Sequence, residues 1–81
     1  MSVAKYQVFL KTVECGSFTA AAREMNFTQS GVSHAISSLE EELGVPLLIR
    51  SHGGVTPTAD GRELMPYFEK MCAMQHQLEQ R

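Results

Sequence analysis

The stretch that decides the fold runs from Thr28 to Gly44 and reads TQSGVSHAISSLEEELG. Its large apolar residues stand at positions 32, 36, 39 and 43, at spacings of four, three and four. Because an α-helix has 3.6 residues per turn, these side chains share one face of a helix. Thr28 is suited to cap the first turn, and Gly44 followed by Pro46 is suited to end the helix.

The opposite side of this predicted helix begins with small polar residues and contains no large apolar group. These residues are Gln29, Ser30, Ser33, His34 and Ser37. A helix that buries one stripe and presents short hydrogen-bonding side chains near its N-terminus is suited to insertion into a DNA groove. The pattern therefore predicts a recognition helix.

Two shorter helices are predicted before it. The first runs from about Val3 to Glu14 and has Val3, Tyr6, Phe9, Leu10 and Val13 on its apolar side, while Lys5, Lys11, Thr12 and Glu14 lie mostly on the others. Gly16 ends it, and Ser17 is a suitable N-cap for an alanine-rich helix over 18–25. Asn26 tolerates a tight turn, and Phe27 is expected to fold back into the core. Two short helices joined in this way predict a helix-turn-helix over about 18–37.

A change of pattern after Gly44 predicts a small β-hairpin, or wing, over about 47–57. A short apolar run leads to a turn with a glycine pair at 53 and 54, and a second extended piece follows. Arg50 and His52 are expected near the tip of this wing. Pro57 is compatible with a short edge strand.

The last helix is predicted from about Ala59 to Gln80, with Thr58 as its N-cap and Asp60 in its first turn. Pro66 is expected to kink it or to mark an early turn. A heptad-like stripe follows the helix, in steps of four, three, four and three: Leu64, Phe68, Met71, Gln75 and Leu78. The first part of this stripe is expected to pack on the first helix. The distal part, from Met71 to Leu78, predicts a partner helix, most simply the same helix of a second copy.

Composition and charge set limits on the class of protein. The 81 residues make one small domain with a net charge of −2, which argues against a protein that coats nucleic acid through bulk electrostatics. The chain has no apolar run that would span a membrane and no secretory signal at its start. Cys15 and Cys72 form no CxxC pair, so we expect reduced cysteines in the cytoplasm.

Four segments, in this order and spacing, resemble the N-terminal region of LysR-type transcriptional regulators. They are Gly16-Ser17-Phe18-Thr19-Ala20-Ala21-Ala22, Thr28-Gln29-Ser30-Gly31-Val32-Ser33, Leu39-Glu40-Glu41-Glu42-Leu43-Gly44-Val45-Pro46-Leu47 and Thr56-Pro57-Thr58-Ala59-Asp60-Gly61. The resemblance covers about residues 3–68, which is most of the chain.

The resemblance implies a mostly α winged helix-turn-helix that binds double-stranded DNA over 1–58, followed by a linker and dimerisation helix over 59–81. Members of the family bind pseudo-palindromic operators as dimers, and the complete proteins usually act as tetramers. They continue into a domain that binds a small-molecule effector, and this chain stops before that domain. The resemblance implies no cofactor within the chain, and we expect a module cut from a longer protein.

Carried over by position, the resemblance implies DNA-facing residues at the start of the recognition helix, further along it and on the wing. They are Thr28, Gln29, Ser30, Ser33, His34, Ser37, Ser38, Arg50 and His52. The amide of Gln29 matches N6 and N7 of adenine, and Arg50 suits a narrow minor groove. The helix departs from the family pattern because no lysine or arginine stands between Thr28 and Leu43. Fewer cations release fewer counterions, so we expect weak binding per domain and a shallow dependence on salt.

Other functions have less support in the sequence. The residues Glu40, Glu41 and Glu42 are interpreted as a solvated helix end, and the acidic balance allows a winged helix used for protein–protein contact. A metal site formed by His34 or His52 with Cys15 or Cys72 has no ligand spacing to support it. An enzyme is not expected, because the chain has no nucleophile–base pair and no phosphate-binding glycine loop.

Overall fold

Four helices and one antiparallel hairpin make up the computed structural model, which describes residues 3–80. In chain order the elements are α1 (Ala4–Cys15), α2 (Phe18–Met25), α3 (Gln29–Leu43), β1 (Leu48–Ser51), β2 (Gly54–Pro57) and α4 (Ala59–Glu79). The predicted winged helix-turn-helix with a long terminal helix is confirmed. Residues 1, 2 and 81, with which the predicted domain ranges begin and end, lie outside the described part.

Hydroxyl groups cap the N-termini of three helices. The side chains of Ser17, Thr28 and Thr58 each accept a hydrogen bond from the backbone N–H three residues later. Each cap satisfies a donor that the first turn of a helix leaves without an intrahelical partner. The three predicted N-caps are therefore confirmed, and they fix where α2, α3 and α4 begin.

Left-handed residues end the first three helices. Gly16, Asn26 and Gly44 have φ angles of 69°, 61° and 74°. Asn26 is the one non-glycine residue of the described chain with a positive φ, and its predicted role in the turn is confirmed. This turn sets the direction of α3 relative to α2.

The core forms where α1, α2 and α3 meet under the wing. Phe9, Val32, Leu39 and Leu47 are fully buried at its centre. Thr12 is also fully buried, which corrects its predicted polar position, because its hydroxyl donates to the carbonyl oxygen of Val8 at 2.7 Å and needs no water.

Two apolar residues expected in the core are exposed. Phe27 is 50% exposed, because the chain passes from the Asn26 turn directly into the extended cap residue Thr28. Leu43, the last residue of the α3 stripe, is 40% exposed. The buried stripe of α3 therefore ends one turn before the helix does.

Glu40 corrects the interpretation of the α3 C-terminus as a solvated end. Its carboxylate accepts hydrogen bonds from the backbone N–H groups of Leu47 and Leu48, at 2.6 and 3.2 Å. Glu42 pairs with Lys5 on α1, so within residues 3–80 only Glu41 of the three glutamates has no such contact. The carboxylate of Glu40 thus ties the entry of the wing to α3.

The wing is anchored on both sides. In its register Leu48 pairs with Pro57 and Arg50 with Val55. The N–H of Val55 donates to the carbonyl oxygen of Gly16 at 2.9 Å, so β2 is bound to the turn before α2. A Cβ atom at Gly54 would lie 2.5 Å from the same carbonyl oxygen, so this close approach requires glycine.

The first half of α4 packs on α1. Phe68 is 3% exposed and meets the ring of Phe9 edge-on, with centroids 5.5 Å apart, and the ring of Tyr6 at 4.9 Å. The helix continues without a break through Pro66 to Glu79. None of the described helices combines the length and apolar character that a bilayer crossing needs.

Candidate nucleic-acid interface

The first two turns of α3 present an uncharged polar surface. Ser30, His34 and Ser37 are exposed on the side away from the core. Gln29 and Ser33 lie on the flank nearest α2 and the wing, one turn apart. The structure therefore brings these five predicted residues together on adjoining sides of one helix end.

Thr28 serves this surface as the cap of α3. Its oxygen accepts the N–H of Gly31 at 3.0 Å and lies 3.4 Å from the hydroxyl oxygen of Ser30. The capped helix end contains no acidic residue in its first turn. A helix N-terminus of this kind carries a partial positive charge and favours an anion such as a phosphate.

Gln29 is held from the neighbouring helix α2. The hydroxyl of Thr19 donates to Oε1 of Gln29 at 3.2 Å. Thr19 was not among the residues predicted for this site, because nothing in the sequence pairs it with a residue ten positions later. The two residues meet because the Asn26 turn sets α2 and α3 at a fixed angle.

Arg50 lies near the tip of the wing, as predicted, one residue pair before the terminal pair of Ser51 and Gly54, and its side chain reaches α3. It belongs to β1, and its guanidinium stacks over the ring of Phe18 at 4.3 Å from the centroid. Nη2 of Arg50 also donates to Oγ of Ser33 at 3.1 Å. The guanidinium thereby joins the wing, α2 and α3, and an open cleft next to it is lined by Thr19 and Gln29.

His52 stands at the tip of the wing. It is exposed in the turn between β1 and β2, next to Gly53, whose φ is 84°.

Ser38 is not brought to the same surface. It is half-buried on the side of α3 that faces α1, where Nζ of Lys5 donates to its hydroxyl at 2.8 Å. At 3.6 residues per turn, the four residues from His34 to Ser38 complete one turn and about 40° more, which carries Ser38 toward α1. A contact with DNA would require this bond to Lys5 to open.

The predicted dimerisation stripe divides into a part that packs within the chain and a part that is exposed. Phe68 is buried in the single chain, and Leu64, Met71 and Gln75 are half-buried, while Leu78 is 66% exposed. Oε1 of Gln75 is buried without a hydrogen-bond partner in the described chain. Met74, at 69% exposed, and Tyr67, at 60%, belong to a second line of residues that is predicted to widen this stripe.

A cluster on the far side of α1 was also missed. Glu14, Cys15 and Glu24 have ligand-type atoms within 4.8 Å of one another. The thiol of Cys15 donates to Glu24 at 2.9 Å, and this bond raises the pKa of Cys15 and lowers that of Glu24. The ammonium of Lys11 binds both carboxylates, so the cluster supplies its own cation.

Comparison with known proteins points to one family. Residues 3–62 match the family model described as "Bacterial regulatory helix-turn-helix protein, lysR family". The chain is 39% identical over 74 residues to the "Probable HTH-type transcriptional regulator LrrA" of Synechococcus elongatus, covering 91% of this chain and 25% of that protein. It is 38% identical over 81 residues to the "Uncharacterized HTH-type transcriptional regulator YvbU" of Bacillus subtilis, covering 99% of this chain and 28% of that protein.

Solved structures resemble the fold along its whole length. The DNA-binding domain in the "CbnR_DBD-DNA complex" superposes with a TM-score of 0.92 at 28% identity, covering 100% of this chain and 93% of that one. The "BenM_DBD/benA site 1 DNA Complex" gives a TM-score of 0.89 at 34% identity, covering 99% and 90%. The relatives are transcriptional regulators, which agrees with the expectation that this chain is not an enzyme.

Proposed function

Because the chain belongs to the LysR family of bacterial regulatory helix-turn-helix proteins, we propose that it is the sequence-specific DNA-binding module of a transcriptional regulator. In this proposal α3 enters the major groove, the wing lies at the minor groove, and α4 joins two copies. Residues 1–58 form the DNA-binding part, and 59–81 form the linker and dimerisation helix.

The observation that carries the proposal is the polar end of α3. Gln29, Ser30 and His34 are exposed there beside a capped helix N-terminus, and no acidic side chain stands in the first turn. Major-groove edges of bases are read by short polar side chains on a helix, and phosphates by helix N-termini. The solved DNA complexes of CbnR and BenM support the same use of a similar fold.

Each residue takes the role that its chemistry allows. Gln29, Ser30, Ser33, His34 and Ser37 face base edges or phosphate oxygens, and Thr28 orients the N–H groups of the first turn. His52 stands at the wing tip, and Arg50 supplies the cation next to α3. Ser38 contributes only if its bond to Lys5 opens.

The exposed end of α4 is the reason for proposing that two copies of the chain form a dimer. Met74 and Leu78 are more than 60% exposed on a helix that extends beyond the core. Two copies related by a two-fold axis would bury these side chains and present two copies of α3 to two half-sites. Pairing compensates for the absence of lysine and arginine in α3.

The whole protein is proposed to be larger than this module. The chain spans 25–28% of the length of the first two relatives described above. We propose that the complete protein works in the cytoplasm, that it binds a small-molecule effector through a further domain, and that it forms dimers or tetramers on its operator.

The test is a titration of the chain against duplex DNA selected from a random pool, at several salt concentrations. Gln29→Ala should weaken binding by about 1–3 kcal/mol and relax the preference at one base position. Gln7→Ala, an exposed glutamine on α1, is the matched control and should leave binding unchanged. Binding that neither falls with salt nor responds to Gln29→Ala would instead favour a protein partner.

A further inference from the structure

Gln29 and Ser33, on the flank of α3 nearest α2 and the wing, can each donate or accept a hydrogen bond. The amide of Gln29 carries a carbonyl oxygen that accepts and an NH₂ group that donates. The hydroxyl of Ser33 also donates and accepts. Sequence alone therefore leaves open whether these residues read acceptors or donors on the bases.

At Gln29 the contact with α2 favours one of the two orientations of the amide. The hydroxyl of Thr19 donates to Oε1, so the carbonyl end of the amide points toward α2. Nε2 is then the end that points away, and it has no hydrogen-bond partner within residues 3–80. Both backbones are fixed here, by the Ser17 cap of α2 and the Thr28 cap of α3.

At Ser33 the same choice is made by the wing. Nη2 of Arg50 donates to Oγ of Ser33, and a guanidinium has no acceptor, so the serine oxygen must accept. The guanidinium stacks on the ring of Phe18, and this contact holds it in place. The hydroxyl hydrogen of Ser33 is left free to donate elsewhere.

We propose that Thr19 and Arg50 are positioning residues that make the flank of α3 present hydrogen-bond donors to the DNA. This inference rests on the proposed function and sharpens it. Gln29 and Ser33 lie one turn apart on the same flank, so both donors face the same stretch of groove. In the major groove guanine presents two acceptors, O6 and N7, whereas adenine places a donor beside its acceptor.

The base read by Gln29 is therefore guanine, and this replaces the adenine expected from the amide alone. A paired contact with adenine needs Oε1 and Nε2 directed at the base together. In this chain Oε1 is turned toward Thr19, so that pairing is disfavoured. Phosphate oxygens are also acceptors, and the experiment separates them from the base edge.

The experiment determines binding sites from a random duplex pool with the wild-type chain, Gln29→Ala and Thr19→Val. The position whose preference is lost in Gln29→Ala is the one that Gln29 reads. It should be guanine in the wild type. Replacing that guanine by 7-deazaguanine, which lacks N7, should weaken wild-type binding by about fivefold or more.

Thr19→Val keeps the size of the side chain and removes its hydroxyl. The preference for guanine over adenine at that position should fall by about fivefold or more, while affinity for random DNA stays unchanged. Thr19→Ser keeps the donor and should restore the preference. Gln7→Ala, at an exposed residue of α1, is the control and should leave the preference intact. If Thr19→Val does not fold, as its circular dichroism would show, Thr19→Ala is used for the same comparison.

The outcomes separate this inference from the function on which it rests. A wild-type chain that binds no DNA overturns the proposed function itself. A chain that selects adenine at the Gln29 position, or keeps its guanine preference in Thr19→Val, overturns the positioning role alone. If Gln29→Ala weakens binding without changing the preference at any base position, the donors contact phosphate oxygens, and the positioning role is also overturned.

Discussion

Helices α3 and α4 carry stripe positions at the same alternating spacing of four and three residues, yet the two helices use them differently. In α3 the first three residues of the stripe, Val32, Ile36 and Leu39, are at most 3% exposed. In α4 Phe68 is buried to the same degree, but Leu78 is 66% exposed. The stripe of α3 packs against other parts of the same chain as far as Leu39, whereas the stripe of α4 leaves the core half-way along the helix.

The exposed ends of the two stripes differ in what surrounds them. Leu43 at the end of α3 is followed by Gly44 and stands next to Glu42, which binds Lys5. A single exposed apolar residue in such surroundings needs no partner. At the end of α4, Met74 and Leu78 are exposed one turn apart, which is the pattern of an interface. Periodicity therefore identifies a helix, and the neighbours of its exposed residues indicate whether a partner is required.

The largest effect is expected where α4 is still part of the core. Phe68→Ala should lower the free energy of unfolding by about 3–5 kcal/mol, because it empties the space between the rings of Tyr6 and Phe9. Urea unfolding followed by circular dichroism at low protein concentration measures this change.

Leu78→Ala is the matched control on the same stripe. At low concentration, where copies are separate, it should change the free energy of unfolding by no more than about 0.5 kcal/mol, as expected for an exposed site. Equal losses at both positions would remove the distinction between the two halves of α4.

A smaller effect is expected at the exposed end of α4. Leu78→Glu should raise the dissociation constant of the dimer about tenfold or more, because association would bury a carboxylate in an apolar seam. Sedimentation equilibrium measures it. Leu43→Glu places the same charge at the exposed end of the α3 stripe and should leave the dimer unchanged. A dimer that tolerates Leu78→Glu would show that α4 does not form the interface.

Much of the fold follows from local signals in the sequence. The bounds of α2 and α3 agree with the prediction because Ser17, Asn26, Thr28 and Gly44 are local stop and start signals. Phe27 and Thr12 were misplaced because the apolar or polar character of a residue does not by itself determine its burial. A threonine is buried where a carbonyl one turn earlier accepts its hydroxyl, as Val8 does, and composition does not reveal this.

The sequence predicts which residues lie at the candidate site, but not the hydrogen bonds that join them to α2 and to the wing. The polar face of α3 follows from helical spacing, which predicts that Gln29, Ser33 and His34 lie together on it. The contacts of Thr19 and Arg50 depend on the crossing of α2 and α3 and on the register of the wing, which no local pattern determines. These are the contacts that decide which end of each polar group faces outward.

The smallest effect is expected at the C-terminal end of α3. There the carboxylate of Glu40 binds α3 to the wing, whereas apolar packing binds α4 to α1. Glu40→Gln keeps an acceptor for the N–H groups of Leu47 and Leu48 but removes its charge. Since charge-assisted hydrogen bonds are roughly twice as strong as neutral ones, the free energy of unfolding should fall by about 1 kcal/mol.

Glu41→Gln, one residue further along, is the control. Because Glu41 is exposed, this change should leave the free energy of unfolding almost unaltered. Amide hydrogen exchange locates the effect, since exchange in Glu40→Gln should be accelerated more at Leu47 and Leu48 than at Val32, whose exchange follows only the global loss of stability. If both glutamates behave alike, the end of α3 is solvated after all. A loss confined to Glu40 means that α3 positions the wing through one side chain, and that its apolar stripe ends at Leu39 because a polar contact takes over there.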